Sequence, residues 1–149
     1  YSISVLILVV HLCKRREIML VIDKYSAKPI YEQIIDGIEK DILLGILNEG
    51  DAVPSVRELS VTLGINPNTV QKAYIELDRR SIIISGHGVG SFVKSGALAA
   101  IKESERKKLE HLHRLASELY LAGVAKEELF DVIDRAYKQK EEDKDDKRK

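Results

Sequence analysis

The sequence predicts a mainly α fold with one small β element, ending in a two-helix hairpin. Three observations carry this: apolar residues recur at helical spacing in five segments; two of those segments open on helix-capping residues a short turn apart; and a β-branched run leads into a glycine-rich turn.

Residues 1–12 are an apolar run without an initiating methionine, and the sole methionine is Met19. The run is too short for a membrane helix of ~20 residues, and Lys14, Arg15 and Arg16 follow it, where a secretory signal carries its charge in front. Residues 1–18 are therefore expected to be a non-native or disordered leader, with Met19 as the native start. A real extra strand or a short membrane-touching segment is the competing reading.

The first helix is expected over residues 29–44, with Tyr31, Ile34, Ile35, Ile38 and Ile42 on one apolar stripe that roofs the core. Tyr31 is read there as a packing residue. Gly45 stops the helix, and residues 48–51 form a turn.

Ser55 followed three residues later by Glu58 is a capping box. The helix it opens buries Val56, Leu59 and Leu63, and Gly64 ends it in the left-handed conformation. Asn66 then caps a helix over residues 67–80 with Pro67 in its first position, where the missing N–H costs nothing. Val70, Ala73, Tyr74 and Leu77 face inward. Asn68, Thr69, Gln71, Lys72 and Arg79 face out, and amides, hydroxyls and cations are the groups that bond base edges and phosphates.

A capped helix pair with a polar face also fits a solvated helical hairpin. The next segment favours the nucleic-acid reading: residues 81–85 are a short β-branched strand, Gly86, Gly88 and Gly90 punctuate a turn, and residues 91–93 resume a strand. Together these make a winged helix-turn-helix. Its glycines allow close backbone approach to a phosphate wall, with a plain hairpin loop as the alternative.

Residues 29–34 (PIYEQI), 50–59 (GDAVPSVREL), 63–74 (LGINPNTVQKAY) and 88–93 (GVGSFV) carry a resemblance. The segment over about residues 25–95 resembles the N-terminal winged-helix domain of the GntR family of bacterial transcription regulators. Ser81 stands where family members usually carry glycine, and Ala52-Val53 replaces a bulkier pair. Neither change touches the outward face. By this resemblance, Arg57 sits where a family arginine reaches a guanine edge. Asn66, Asn68, Thr69 and Gln71 fall where base and phosphate contacts are made, and Gly88 lies at the wing tip. Ser55 is read as both cap and phosphate contact. Lys72 fits either a phosphate contact or a solvated lysine; His87 fits either a backbone contact or a water-facing side chain.

The whole chain is neutral, but charge is unevenly placed. Residues 28–51 hold two lysines against six carboxylates, whereas residues 53–94 hold five cations against three carboxylates. The acidic first helix is expected to face away from the duplex. So few cations give a modest phosphate term, so tight binding is expected to need two copies on one site.

Residues 97–121 form one long helical pattern, with Leu109, Leu112, Leu115, Ala116 and Leu119 on its apolar stripe. After Gly123, residues 125–140 place Leu129, Val132, Ile133, Ala136 and Tyr137 on another. Two helices cannot enclose a core alone. Residues 96–140 are therefore expected to dimerise as a four-helix unit; a hairpin folded back on its own winged domain (residues 19–95) is the alternative. Residues 141–149 are expected to be a charged disordered tail. So short a C-terminal region resembles the YtrA-like branch of the family, which implies a minimal dimeric repressor and no ligand-binding domain.

His111 and His113 lie on different helix faces and are not expected to share a metal. Cys13 is alone, which suits a reducing cytoplasm and allows no disulfide within the chain. The glycine-rich turn lacks the lysine of a phosphate loop, and no catalytic constellation is evident. The expectation is a cytoplasmic homodimeric repressor on a double-stranded inverted-repeat operator, without cofactor, metal or membrane attachment. A small-molecule effector at the dimer seam stays open. The rival is a winged-helix module that docks a protein through the same face.

Overall fold

The computed structural model describes residues 6–10, 18–86 and 90–146. The chain divides into two compact units, the first ending at Ser104 and the second beginning at Glu105.

The first unit opens with strands β1 (Leu6–Val10) and β2 (Ile18–Ile22), antiparallel, with Leu6 opposite Ile22 and Val10 opposite Ile18. This corrects the expectation of a disordered leader for residues 6–10 and for Ile18. An alternating β2 explains it: Ile18, Leu20 and Ile22 are buried against the helical core while Val21 faces out. Gly37 makes room for the strand, because a Cβ there would overlap the buried Leu20 side chain. The chain leaving β2 is clamped by Gln33, whose amide accepts from the Asp23 N–H at 2.8 Å and donates to the carbonyls of Asp23 and Lys28.

Helix α1 (Ile30–Leu43) buries Ile34, Ile35, Ile38 and Ile42 along the stripe its spacing predicts. Then come β3 (Ala52–Val53), α2 (Val56–Leu63), α3 (Pro67–Arg79), β4 (Ile83–Gly86), β5 (Gly90–Val93) and α4 (Ala97–Leu121). Strands β3, β5 and β4 form an antiparallel sheet in that order, with Ala52 opposite Phe92 and Ile83 opposite Val93. The sequence reading contained no β3. Two residues are too short to show periodicity, and the pairing is made by β5, far along the chain.

The core gathers Leu59 and Leu63 from α2, Val70, Ala73, Tyr74 and Leu77 from α3, and Ile82, Ile83 and Val93 from the wing. Ala97 and Ile101 of α4 are buried in it too. The first unit therefore extends past residue 95 into the first turns of α4, each fully buried isoleucine contributing about 1.5–3 kcal/mol.

In α1, α2 and α4 the helix ends in a left-handed glycine, at Gly45, Gly64 and Gly123, followed by a residue whose N–H bonds back into the last turn. Helix α3 ends identically on Ser81, at φ +61°.

In the second unit, α5 (Lys126–Asp146) is longer than predicted. Residues 141–146 continue the helix where a disordered tail was expected, because Glu, Lys and Asp without glycine or proline let a nucleated helix propagate. The remainder of α4 and α5 leave an apolar groove of about 330 Å³ between them, floored by Leu112, Ala116, Leu129 and Ile133. The stripe expected to be buried is largely exposed in the single chain: Leu109, Leu112, Leu115, Val132, Ile133 and Ala136 are exposed, while Ala116, Leu119 and Leu129 are half-buried. No described helix is long and apolar enough to cross a membrane.

Candidate nucleic-acid interface

The outward face is built on two helix starts. Ser55 caps α2 as the sequence requires: its Oγ accepts from the Glu58 N–H at 3.2 Å, and its N–H donates to Glu58 Oε2 at 2.7 Å. These Ser55 groups, the backbone N–H first, hold the Glu58 carboxyl below its ordinary range. Asn66 caps α3, its Oδ1 accepting from the Asn68 N–H at 2.9 Å.

One buried hydrogen bond sets the two helices against each other. The Tyr74 hydroxyl, on the inner face of α3, donates to the Pro54 carbonyl at 2.6 Å, immediately before the α2 cap. Burial pushes this phenol well above its ordinary pKa. The start of α2, with Ser55 and Arg57, is thereby held beside the middle of α3.

Around this anchor the predicted residues fall as follows. Arg57 is exposed in the first turn of α2, and no described carboxylate holds it. Asn66, Asn68 and Gln71 are exposed, Thr69 and Ser55 half-buried. Lys72 is exposed but engaged: its Nζ stands 3.7 Å from the centroid of the Tyr31 ring, a cation–π contact that draws it toward α1. Tyr31 is thus only partly a packing residue; its hydroxyl donates to Glu32 Oε1 at 2.8 Å. His87 and Gly88 lie outside the described residues.

The remaining α3 cations are neutralised within the chain. Glu76 accepts from Arg79 at 2.7 and 2.8 Å and from Arg80 at 2.8 Å, and Arg80 also reaches Glu39 of α1 at 3.2 Å. Arg79 foremost, and then Arg80, hold the Glu76 carboxyl down to about 2. The available side-chain cation on this face is therefore Arg57, at the N-terminal end of α2, and the dipoles at the starts of α2 and α3 also favour anions. On the side toward α1, Glu39 and Asp36 hold cations, the latter pairing with Lys28. Sequence reasoning missed one exposed residue on this face, Ile75, because an aliphatic residue on a helix is read by default as core.

No cluster of His, Cys, Asp or Glu suited to a metal ion occurs among the described residues.

Comparison with known proteins agrees with this geometry. Residues 30–93 match the family described as "Bacterial regulatory proteins, gntR family". The chain is 41% identical over 116 residues to the HTH-type transcriptional repressor YtrA of Bacillus subtilis, spanning 77% of this chain and 89% of that protein. It is 34% identical over 108 residues to the uncharacterized HTH-type transcriptional regulator YhcF of the same organism, spanning 72% and 89%. Among solved structures, a GntR family transcriptional regulator from Listeria monocytogenes aligns with TM-score 0.62 and 32% identity over 76% of this chain and 98% of that one. A transcriptional antiterminator from Listeria monocytogenes EGD-e aligns with TM-score 0.63 and 36% identity over 80% and 90%. A winged helix-turn-helix whose exposed amides and arginine sit at two helix N-termini, with this degree of likeness along most of the chain, is a DNA-binding transcription regulator: the chain belongs to the GntR family, in its YtrA-like branch.

Proposed function

We propose that the protein is a homodimeric, cytoplasmic repressor that reads an inverted-repeat operator. The observation that carries the dimer is the apolar stripe of α4 and α5. Leu109 is 63% exposed and Val132 57%, and a helix pair that leaves such residues in water has its burial still to make. A second copy of the same pair satisfies it as a four-helix unit. Repression is supported by the likeness to a relative described as a repressor.

In this reading Arg57 makes a bidentate contact with a guanine edge, Asn68, Thr69 and Gln71 meet base edges and phosphates, and Ser55 reaches a phosphate from its cap. Two recognition helices enter major grooves one helical turn apart. The scarcity of free cations makes the second subunit necessary for tight binding. Any effector would act by shifting the α4–α5 seam.

Arg57→Ala tests the DNA contact: operator affinity falls by about 1–3 kcal/mol and selectivity relaxes at one base pair, with the dimer intact. Unchanged affinity refutes it and favours a protein-docking face. Leu112→Glu tests the seam, giving monomers by sedimentation and weak operator binding. A dimer that survives that change refutes the assignment.

A further inference from the structure

A helix lying in the major groove presents residues at i, i+3, i+4 and i+7 to the base edges. In α3 these are Asn68, Gln71, Lys72 and Ile75. Lys72 is drawn aside onto the Tyr31 ring, which leaves two amides and one aliphatic side chain on the reading edge. Ile75 is 61% exposed, while Val70, Ala73, Tyr74 and Leu77 close the core without it. A β-branched residue does not favour the helix, and it offers nothing to a phosphate. The major-groove group complementary to it is the C5-methyl of thymine.

We propose that Ile75 is a specificity-determining residue that packs on one thymine methyl in each operator half-site. The inference rests on the DNA-reading face proposed above. Ile75 lies about 6 Å along the helix axis from Gln71, so its thymine falls within roughly two base pairs of the one Gln71 meets. Asn68 and Gln71 then supply hydrogen-bond discrimination, and Ile75 supplies the shape term that separates thymine from cytosine.

The test uses the full chain and a duplex enriched by it from random-sequence DNA. Each thymine is replaced singly by uracil, which keeps the pairing and removes only the methyl. Wild type is expected to lose about three- to tenfold in affinity at one thymine per half-site, the scale of one buried methyl. Ile75→Ala is expected to bind the original duplex more weakly by that factor and to be indifferent to uracil there, with Ile75→Val largely restoring sensitivity and the salt dependence unchanged. Equal weakening of Ile75→Ala on thymine and uracil duplexes, or no methyl-sensitive position, overturns the inference while leaving the DNA reading intact. Failure of wild type to enrich any sequence overturns both.

Discussion

Replacing Ser81 by glycine is expected to stabilise the winged unit. Ser81 holds φ at +61° where α3 ends, its N–H bonding the Asp78 carbonyl and the Ile82 N–H the Leu77 carbonyl. Leu77 and Ile82 are both buried, so the turn cannot relax without exposing core. A side chain in the left-handed region costs about 1–2 kcal/mol, and glycine gives back ~0.4–1 kcal/mol through its freer unfolded chain. The hydroxyl lost accepts only an exposed Lys94 ammonium at 3.3 Å, a contact of small net worth. The net gain is about 0.5–1 kcal/mol. With a urea m-value of roughly 1–3 kcal/mol/M, the unfolding midpoint rises by about 0.2–1 M. Protein concentration must be held fixed, because assembly would shift the midpoint by mass action. Ser81→Ala is the control: it removes the hydroxyl, keeps the backbone cost, and is expected near wild type. A glycine variant no more stable than wild type, or an alanine variant that gains as much, refutes the reasoning.

Tyr74→Phe keeps the packing and strands the Pro54 carbonyl in the core, so it is expected to cost about 1–3 kcal/mol in urea unfolding; a cost below ~0.5 kcal/mol would mean water reaches that carbonyl. Glu76, held near 2 by Arg79 and Arg80, has a folded pKa below its ordinary 4.5. Its stabilising contribution is therefore full above pH 4.5 and lost as pH falls toward 2. The stability difference between wild type and Glu76→Gln should shrink across that window, and a difference that is constant with pH contradicts the pairing. Ending the chain after Ser95 removes the buried Ala97 and Ile101 and is expected to cost at least about 2 kcal/mol relative to ending it after Ser104; equal midpoints for the two truncations would place α4 outside the core.

The parts of this protein legible in its sequence are those whose signals are local. The Ser55–Glu58 box, the Asn66-Pro67 start and the stripes of α1 and α3 each depend on residues within one or two turns, so spacing alone recovers them. Residues 6–10 and Ile18 were expected to be disordered for the opposite reason. Their order depends on distant partners: β1 pairs with β2, and β2 packs where Gly37, in the next helix, leaves room for Leu20. Ala52-Val53 gains a ladder only when β5 arrives beside it, and residues 97–101 read as the start of one continuous helix although Ala97 and Ile101 are buried in the core of the first unit.

By itself the sequence determined which segments are helical, where they start and stop except at the end of α5, and which polar face is left over, because capping and periodicity are short-range properties of the chain. Tertiary structure decided which cations on that face remain available. Glu76 neutralises Arg79 and Arg80, Tyr31 draws Lys72 aside, and Arg57 is left without a carboxylate among the described residues. The Glu76 pairs lie within about one helical turn, but the Tyr31 contact and the Glu39 bond to Arg80 are set by how α1 packs on α3, and a charge's availability depends on what stands within a few ångströms of it in space.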